Sequence, residues 1–127
     1  MLGTAILVRR LPDPPERPCP EQLLPREGET LRHRHVELMA ADRVVSEADL
    51  WYLPDRLPRE LVATLETTPI PFGRVMQPLR LKRVPFSARF PADRKVRMEH
   101  RAVLTLPDGT GVAEVWERYP WTLFGAS

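Results

Sequence analysis

Fifteen prolines are spread through the 127 residues of this chain, and each removes a backbone donor and fixes φ, leaving room for only short helices. One stretch has helical spacing. Leu57-Pro58-Arg59-Glu60-Leu61-Val62-Ala63-Thr64-Leu65-Glu66 carries proline where a first turn tolerates it, an early carboxylate, and Leu61 and Leu65 four apart. Elsewhere period-2 alternation dominates. It predicts strands over 4–10, 31–40, 44–53, 81–89, 96–106 and 112–119, with a tight connection at Asp42-Arg43 and an Asp108-Gly109 hairpin turn. The expected architecture is α+β: a single antiparallel sheet of about six strands with a few short helices packed on one face. In the third run Val44, Ala48, Leu50 and Tyr52 fall on one side and Glu47 and Asp49 on the other, the pattern of a sheet covered on one face. Residues 11–29 form a Pro-rich, charged connection with no core pattern. Long loops of this kind in small domains often cover a site.

The length suits one domain over 1–127, with one core and one main site. No apolar run approaches the roughly 18 residues of a membrane helix, and Met1–Arg10 lacks the basic leader of a secretion signal. A cytoplasmic protein without a membrane partner is expected. Cys19 stands alone, which excludes an intrachain disulfide and a cysteine zinc cluster, and it reads as a spectator thiol. The formal charge is only +2. The basic stretch Arg80-Leu81-Lys82-Arg83, followed by Arg89, Arg94, Lys95, Arg97 and Arg101, reads as a solvated face that steers anions, with no nucleic-acid partner.

Two charges break the apolar pattern. Arg34 shares a strand face with Val36, Leu38 and Ala40, and Glu117 shares one with Ala113, Val115 and Tyr119. An unpaired charge on such a face costs several kcal/mol, roughly, unless it is paired or meets a ligand. Either the two satisfy each other or a nearby loop, or they line a pocket for an anionic, partly apolar small molecule. Thr67-Thr68-Pro69-Ile70-Pro71-Phe72-Gly73-Arg74 holds its backbone in a fixed shape that can point unpaired amides at an anion. His33, His35 and Glu37 share the opposite strand face, and with His100 a metal site can be drawn. The plainer reading is a solvated sheet face, and no metal or cofactor is expected. There is no Gly-x-Ser-x-Gly elbow and no Gly-rich phosphate loop. Glu114 points away from Glu117, which argues against a glycosidase pair.

Three of these stretches, in this order, resemble the chorismate lyase (chorismate pyruvate-lyase) family, whose fold cousins include the effector-binding domains of some bacterial transcription regulators. Arg34 with Val36-Glu37-Leu38 resembles the strand bearing that family's carboxylate-binding arginine. Thr67-Thr68-Pro69-Ile70-Pro71-Phe72-Gly73-Arg74-Val75-Met76 resembles its Thr-x-x-Pro-(Leu/Phe)-Gly-(Arg/Glu) loop, where the backbone N–H at the Phe72 position meets the same carboxylate, and Glu117-Arg118-Tyr119 resembles the strand end where a glutamate meets the ring hydroxyl. The resemblance implies cofactor-free conversion of chorismate to 4-hydroxybenzoate and pyruvate. It further implies Arg34 and Glu117 as catalytic residues, and Arg34, Phe72, Gly73 and Glu117 as substrate-binding residues. The alternative is a non-catalytic module binding a small aromatic carboxylate on the same scaffold. Members of the family carry helices ahead of the first strand that help close the pocket, and this chain starts at about that strand. The resemblance therefore leaves three options: the Pro-rich segment from Pro12 to Pro25 is the lid, a homodimer completes the pocket, or the protein binds without catalysing.

Overall fold

The computed structural model describes residues 6–13, 18–90 and 96–120, without the side chain of Arg97. Thr4 and Ala5 of the expected first strand, Pro14 and Pro15 of the Pro-rich stretch, and Arg94 and Lys95 of the basic stretch lie outside the described residues. The chain runs β1 (Ile6–Arg10), β2 (Arg32–Ala40), β3 (Arg43–Tyr52), a single 3-10 turn (Pro54–Arg56), α1 (Arg59–Thr67), α2 (Phe72–Val75), a second 3-10 turn (Gln77–Leu79), β4 (Lys82–Arg89), β5 (Val96–Thr105) and β6 (Gly111–Pro120). The strands form one antiparallel sheet of six, in the order β1-β2-β3-β6-β5-β4. Pairing thus closes through β6, which returns from the β4-β5 hairpin to lie beside β3.

Local chemistry fixes the elements. Gly109 adopts φ +92° in the β5-β6 turn, where Asp108 accepts the Thr110 N–H at 2.8 Å. α1 starts directly after Pro58 and ends before Pro69. Toward its end two carbonyls accept hydroxyls, Ala63 from Thr67 and Thr64 from Thr68, both at 2.7 Å. Val62 and Leu65 of α1 and Phe72 and Val75 of α2 join Leu50, Tyr52 and Ala113 of the sheet in one core cluster.

The sequence pattern misplaces Val44. A bulge opposite the Leu38/Met39 step pairs Leu38 with Ser46 and Met39 with Val44, so Val44 faces the side opposite Ser46, Ala48, Leu50 and Tyr52.

The second sheet face is also covered, against the expectation of a solvated one. Leu23 packs there with Trp51, Leu53, Leu31 and Trp116. What holds this strap is Glu114, which is fully buried at 0 % exposure. Its carboxylate accepts three consecutive backbone N–H groups, from Glu21 at 2.8 Å, Gln22 at 2.7 Å and Leu23 at 3.0 Å, and the Arg101 guanidinium at 2.9 Å. Burial alone pushes such a carboxyl up, yet the donated hydrogen bonds and Arg101 hold Glu114 below the usual carboxylate range. Trp116 lies between Arg118, 4.4 Å from its ring centre, and Arg101, 5.0 Å away. Asp49 accepts from Arg118 at 2.9 Å and pairs with His33 at 2.6 Å, and His33 stacks on Trp51. His35 contacts Glu47 and the Pro12 carbonyl. The His33–His35–Glu37 face is therefore taken up by hydrogen bonds, by the Arg9–Glu37 ion pair and by the strap, and His100 is on the other face, since it pairs in register with Glu117. Among the described residues no group of three metal-ligating side chains forms.

Glu114→Ala strands three amides in a closed interface and leaves Arg101 only Glu21 and the Cys19 carbonyl. It is expected to lower the unfolding free energy by about 3–5 kcal/mol, read from urea denaturation; a change within about 0.5 kcal/mol, the size of a typical surface substitution, contradicts the strap's role.

Candidate functional site

On the sheet face that carries Leu50 and Val115 a cavity of about 240 Å³ lies between the sheet and the α1–α2 connection. Its walls are apolar: Val36 and Leu38 from β2, Ala48 and Leu50 from β3, Val115 from β6, with Leu65, Ile70 and Pro71 above. Val8 of the edge strand β1 closes one side, anchored by its N–H to the Pro69 carbonyl at 2.6 Å. Arg34, Phe72, Gly73 and Glu117, read from separate stretches of sequence, all line this space. The register explains why. Arg34 lies in the row Arg34-Leu50-Val115 and Glu117 in the next row on the same face, Val36-Ala48-Glu117. Two strands apart and one step along, their Cα atoms are separated by roughly 12 Å on regular sheet spacing.

The two charges do not pair with each other. Arg34 donates one hydrogen bond, 3.0 Å, to the Leu65 carbonyl in the last turn of α1, where a cation meets the negative end of the helix. Its remaining donors carry no protein partner among the described residues. Beside it, the N–H groups of Phe72 and Gly73 open the first turn of α2 and have no protein acceptor among the described residues. Glu117 pairs with the Arg83 guanidinium and accepts the Tyr119 hydroxyl at 3.2 Å.

Arg83, read in the sequence as an anion-steering surface cation, and His100, read as a possible metal ligand, both stand beside Glu117. Arg83 belongs to the stretch read as a solvated basic face, and its side chain is still 42 % exposed, but it lines the cavity. Alternation carried the signal: Leu81 packs against the core, so Arg83, two residues on, takes the same face. His100 likewise alternates with buried Ala102 and core-packed Leu104.

The four side chains close a ring. A guanidinium only donates, so His100 Nδ1 accepts from Arg83 at 2.8 Å, its proton sits on Nε2, and Nε2–H donates to the Tyr119 oxygen at 3.2 Å. The Tyr119 O–H then goes to Glu117 Oε2. Burial, above all, raises the Tyr119 hydroxyl to about 12, with the Glu117 charge adding to it. Burial also lowers His100 below its ordinary value, the Glu117 charge opposing and the Arg83 charge reinforcing the shift.

Of the three options for closing the pocket, a lid from the Pro-rich segment finds no support among the described residues. Leu11 and Pro12 bind His35, and residues 21–23 bind Glu114, so the described part of the Pro-rich segment crosses the opposite face and the α1–α2 connection roofs the cavity. A more open depression of about 570 Å³ lies beside α1. Of its charged residues, Arg32 and Glu66 are spent on each other and on Tyr52, and Asp55 on the Thr30 amide, so the less open cavity, with Arg34 and Glu117 in its wall, is the stronger binding candidate.

No protein-family model matches the chain. An uncharacterized protein of Sinorhizobium fredii (strain NBRC 101917 / NGR234), y4mC, is 37% identical to it across 72% of this chain and 48% of that protein. The chain thus spans about half the length of this curated relative.

Because His100 is held below its unfolded value of 6.5, the unfolded chain binds that proton more readily than the folded one. Its contribution to stability is present above pH ~6.5 and is lost as pH falls through the folded value. Urea midpoints measured from pH 7.5 down to 5 are expected to decline less in His100→Gln than in the parent; parallel declines contradict the assignment.

Proposed function

We propose that this chain is a chorismate-lyase-like enzyme that eliminates pyruvate from chorismate to give 4-hydroxybenzoate, using no cofactor. The observation carrying the reading is that one small apolar cavity gathers Arg34, Phe72, Gly73 and Glu117. In this reading the short helices sit on one face of the sheet as the roof of the site, and the protein is cytoplasmic.

Arg34 holds the ring carboxylate through the guanidinium donors that Leu65 leaves free, a bidentate geometry that lysine does not reproduce. The free amides at Phe72 and Gly73 add neutral donors to the same group. Glu117, paired with Arg83, accepts and orients the ring hydroxyl rather than supplying a proton. Arg83 is the second cation lining the cavity, and its unused donors suit the enolpyruvyl carboxylate of a dianionic substrate. In the reaction the bond from ring carbon to ether oxygen breaks, the neighbouring carbon bearing the hydroxyl loses its hydrogen, and the enolpyruvyl methylene gains one to become the methyl of pyruvate. Aromatisation drives this exchange. The protein's part is to hold the ring and side chain in the reacting conformation and to stabilise charge on the departing oxygen in an apolar space.

The purified protein, incubated with chorismate, is expected to release 4-hydroxybenzoate and pyruvate in equal amounts, followed by ultraviolet absorbance and a coupled assay. Arg34→Ala is expected to lower turnover by on the order of 100-fold or more, as for loss of a buried charged partner. Saturable 4-hydroxybenzoate binding without turnover replaces the enzyme by the aromatic-carboxylate binding module, and absence of both removes this reading of the cavity.

A further inference from the structure

Beyond the cavity's own lining, β5 and β6 place two more polar side chains behind Glu117. Tyr119 follows Glu117 by two residues on the same face of β6, and His100 sits directly opposite Glu117 on β5. Neither touches the cavity. Their rings stack with centres 5.2 Å apart, and each hydrogen bond between them runs in one direction only: Arg83 to His100, His100 to Tyr119, Tyr119 to Glu117. A glutamate held by Arg83 alone keeps freedom about its terminal torsion. Held at Oε1 by Arg83 and at Oε2 by Tyr119, its plane is set, and so is the direction of the lone pairs left over.

We propose that Tyr119 and His100 are positioning residues that fix the plane of the Glu117 carboxylate, and that they thereby set the preference of the cavity for a hydroxylated over an unhydroxylated aromatic carboxylate. This rests on the reading of the cavity as an aromatic-carboxylate site. The logic is geometric. Arg34 and Glu117 line the same cavity from adjacent rows of the sheet, so a rigid ring anchored by its carboxylate at Arg34 can meet Glu117 only if the acceptor lone pair points along the ring axis. A rotated carboxylate forfeits that hydrogen bond and leaves the hydroxyl without its charged acceptor. Benzoate makes no such bond, so its affinity is indifferent to the plane of Glu117.

The test is titration calorimetry of the full chain with 4-hydroxybenzoate and with benzoate. The parent is expected to prefer 4-hydroxybenzoate, and Tyr119→Phe to reduce that preference by about three- to ten-fold, the worth of one hydrogen bond, with benzoate affinity unchanged. His100→Leu is expected to do the same, whereas His100→Gln, which keeps a side-chain donor for Tyr119, retains the preference. Should Tyr119→Phe fail to fold, the two His100 variants decide. An unaltered preference in folded Tyr119→Phe, or equal preferences in His100→Leu and His100→Gln, overturns the positioning role while leaving the site reading intact. Failure of the unmutated protein to bind either acid overturns the site reading and this inference with it.

Discussion

The register of β6 between β3 and β5 is the constraint on which both faces of the molecule depend. Within four residues this strand places Glu114 on one side and Glu117 on the other. A slip of one residue would exchange the two faces, carrying Trp116 and Arg118 toward the cavity and Ala113 and Val115 toward the strap. Glu114 would then lose Arg101 and the three amides of residues 21–23, and Glu117 would lose Arg83. Leaving such charges buried without partners costs several kcal/mol, roughly, for each. The alternating apolar residues and the two acids therefore specify one pairing, and the same pairing that closes the core builds the cavity.

The two faces use charge differently. On the strap side Glu114 is saturated by backbone and by Arg101, and Asp49 is held between His33 and Arg118. Such charges fix structure because nothing further can approach them. On the cavity side Arg34 makes a single protein hydrogen bond, the opening amides of α2 have no protein acceptor among the described residues, and Glu117 meets the cavity with its outer lone pairs. Donors and an acceptor left in this state, around an apolar space, are what the proposed ligand would need.

Much of this was legible in the sequence, because period-2 alternation and turn chemistry act over a few residues. The strands, the Asp108-Gly109 turn and the helix after Pro58 followed from local rules, and the inward positions of Arg34 and Glu117 from parity alone. Parity failed at Val44, where a bulge adds one residue to β3 and reverses the faces before it. The fate of Glu114 was hidden for a different reason. Its partners are backbone amides about ninety residues away in sequence, and a backbone donor carries no residue-type signal. For the same reason the sequence left a lid over the site open as one option for the Pro-rich segment, whose described part straps the other face. Arg83 was misread because its neighbours are basic and exposed, although its spacing from Leu81 already assigned it to the inner side.

The central claim is that the cavity between the sheet and the α1–α2 connection takes an aromatic carboxylate by its anionic end. The most direct measurement is an amide and arginine-Nε chemical-shift titration of the isotopically labelled protein with 4-hydroxybenzoate. The account predicts saturable shifts concentrated at the amides of Phe72 and Gly73 and at Arg34 Nε, with smaller ones at Arg83. Shifts clustered instead around Thr30, Arg32 and Ala63 beside α1, or no saturable shift at any of these groups, would contradict it.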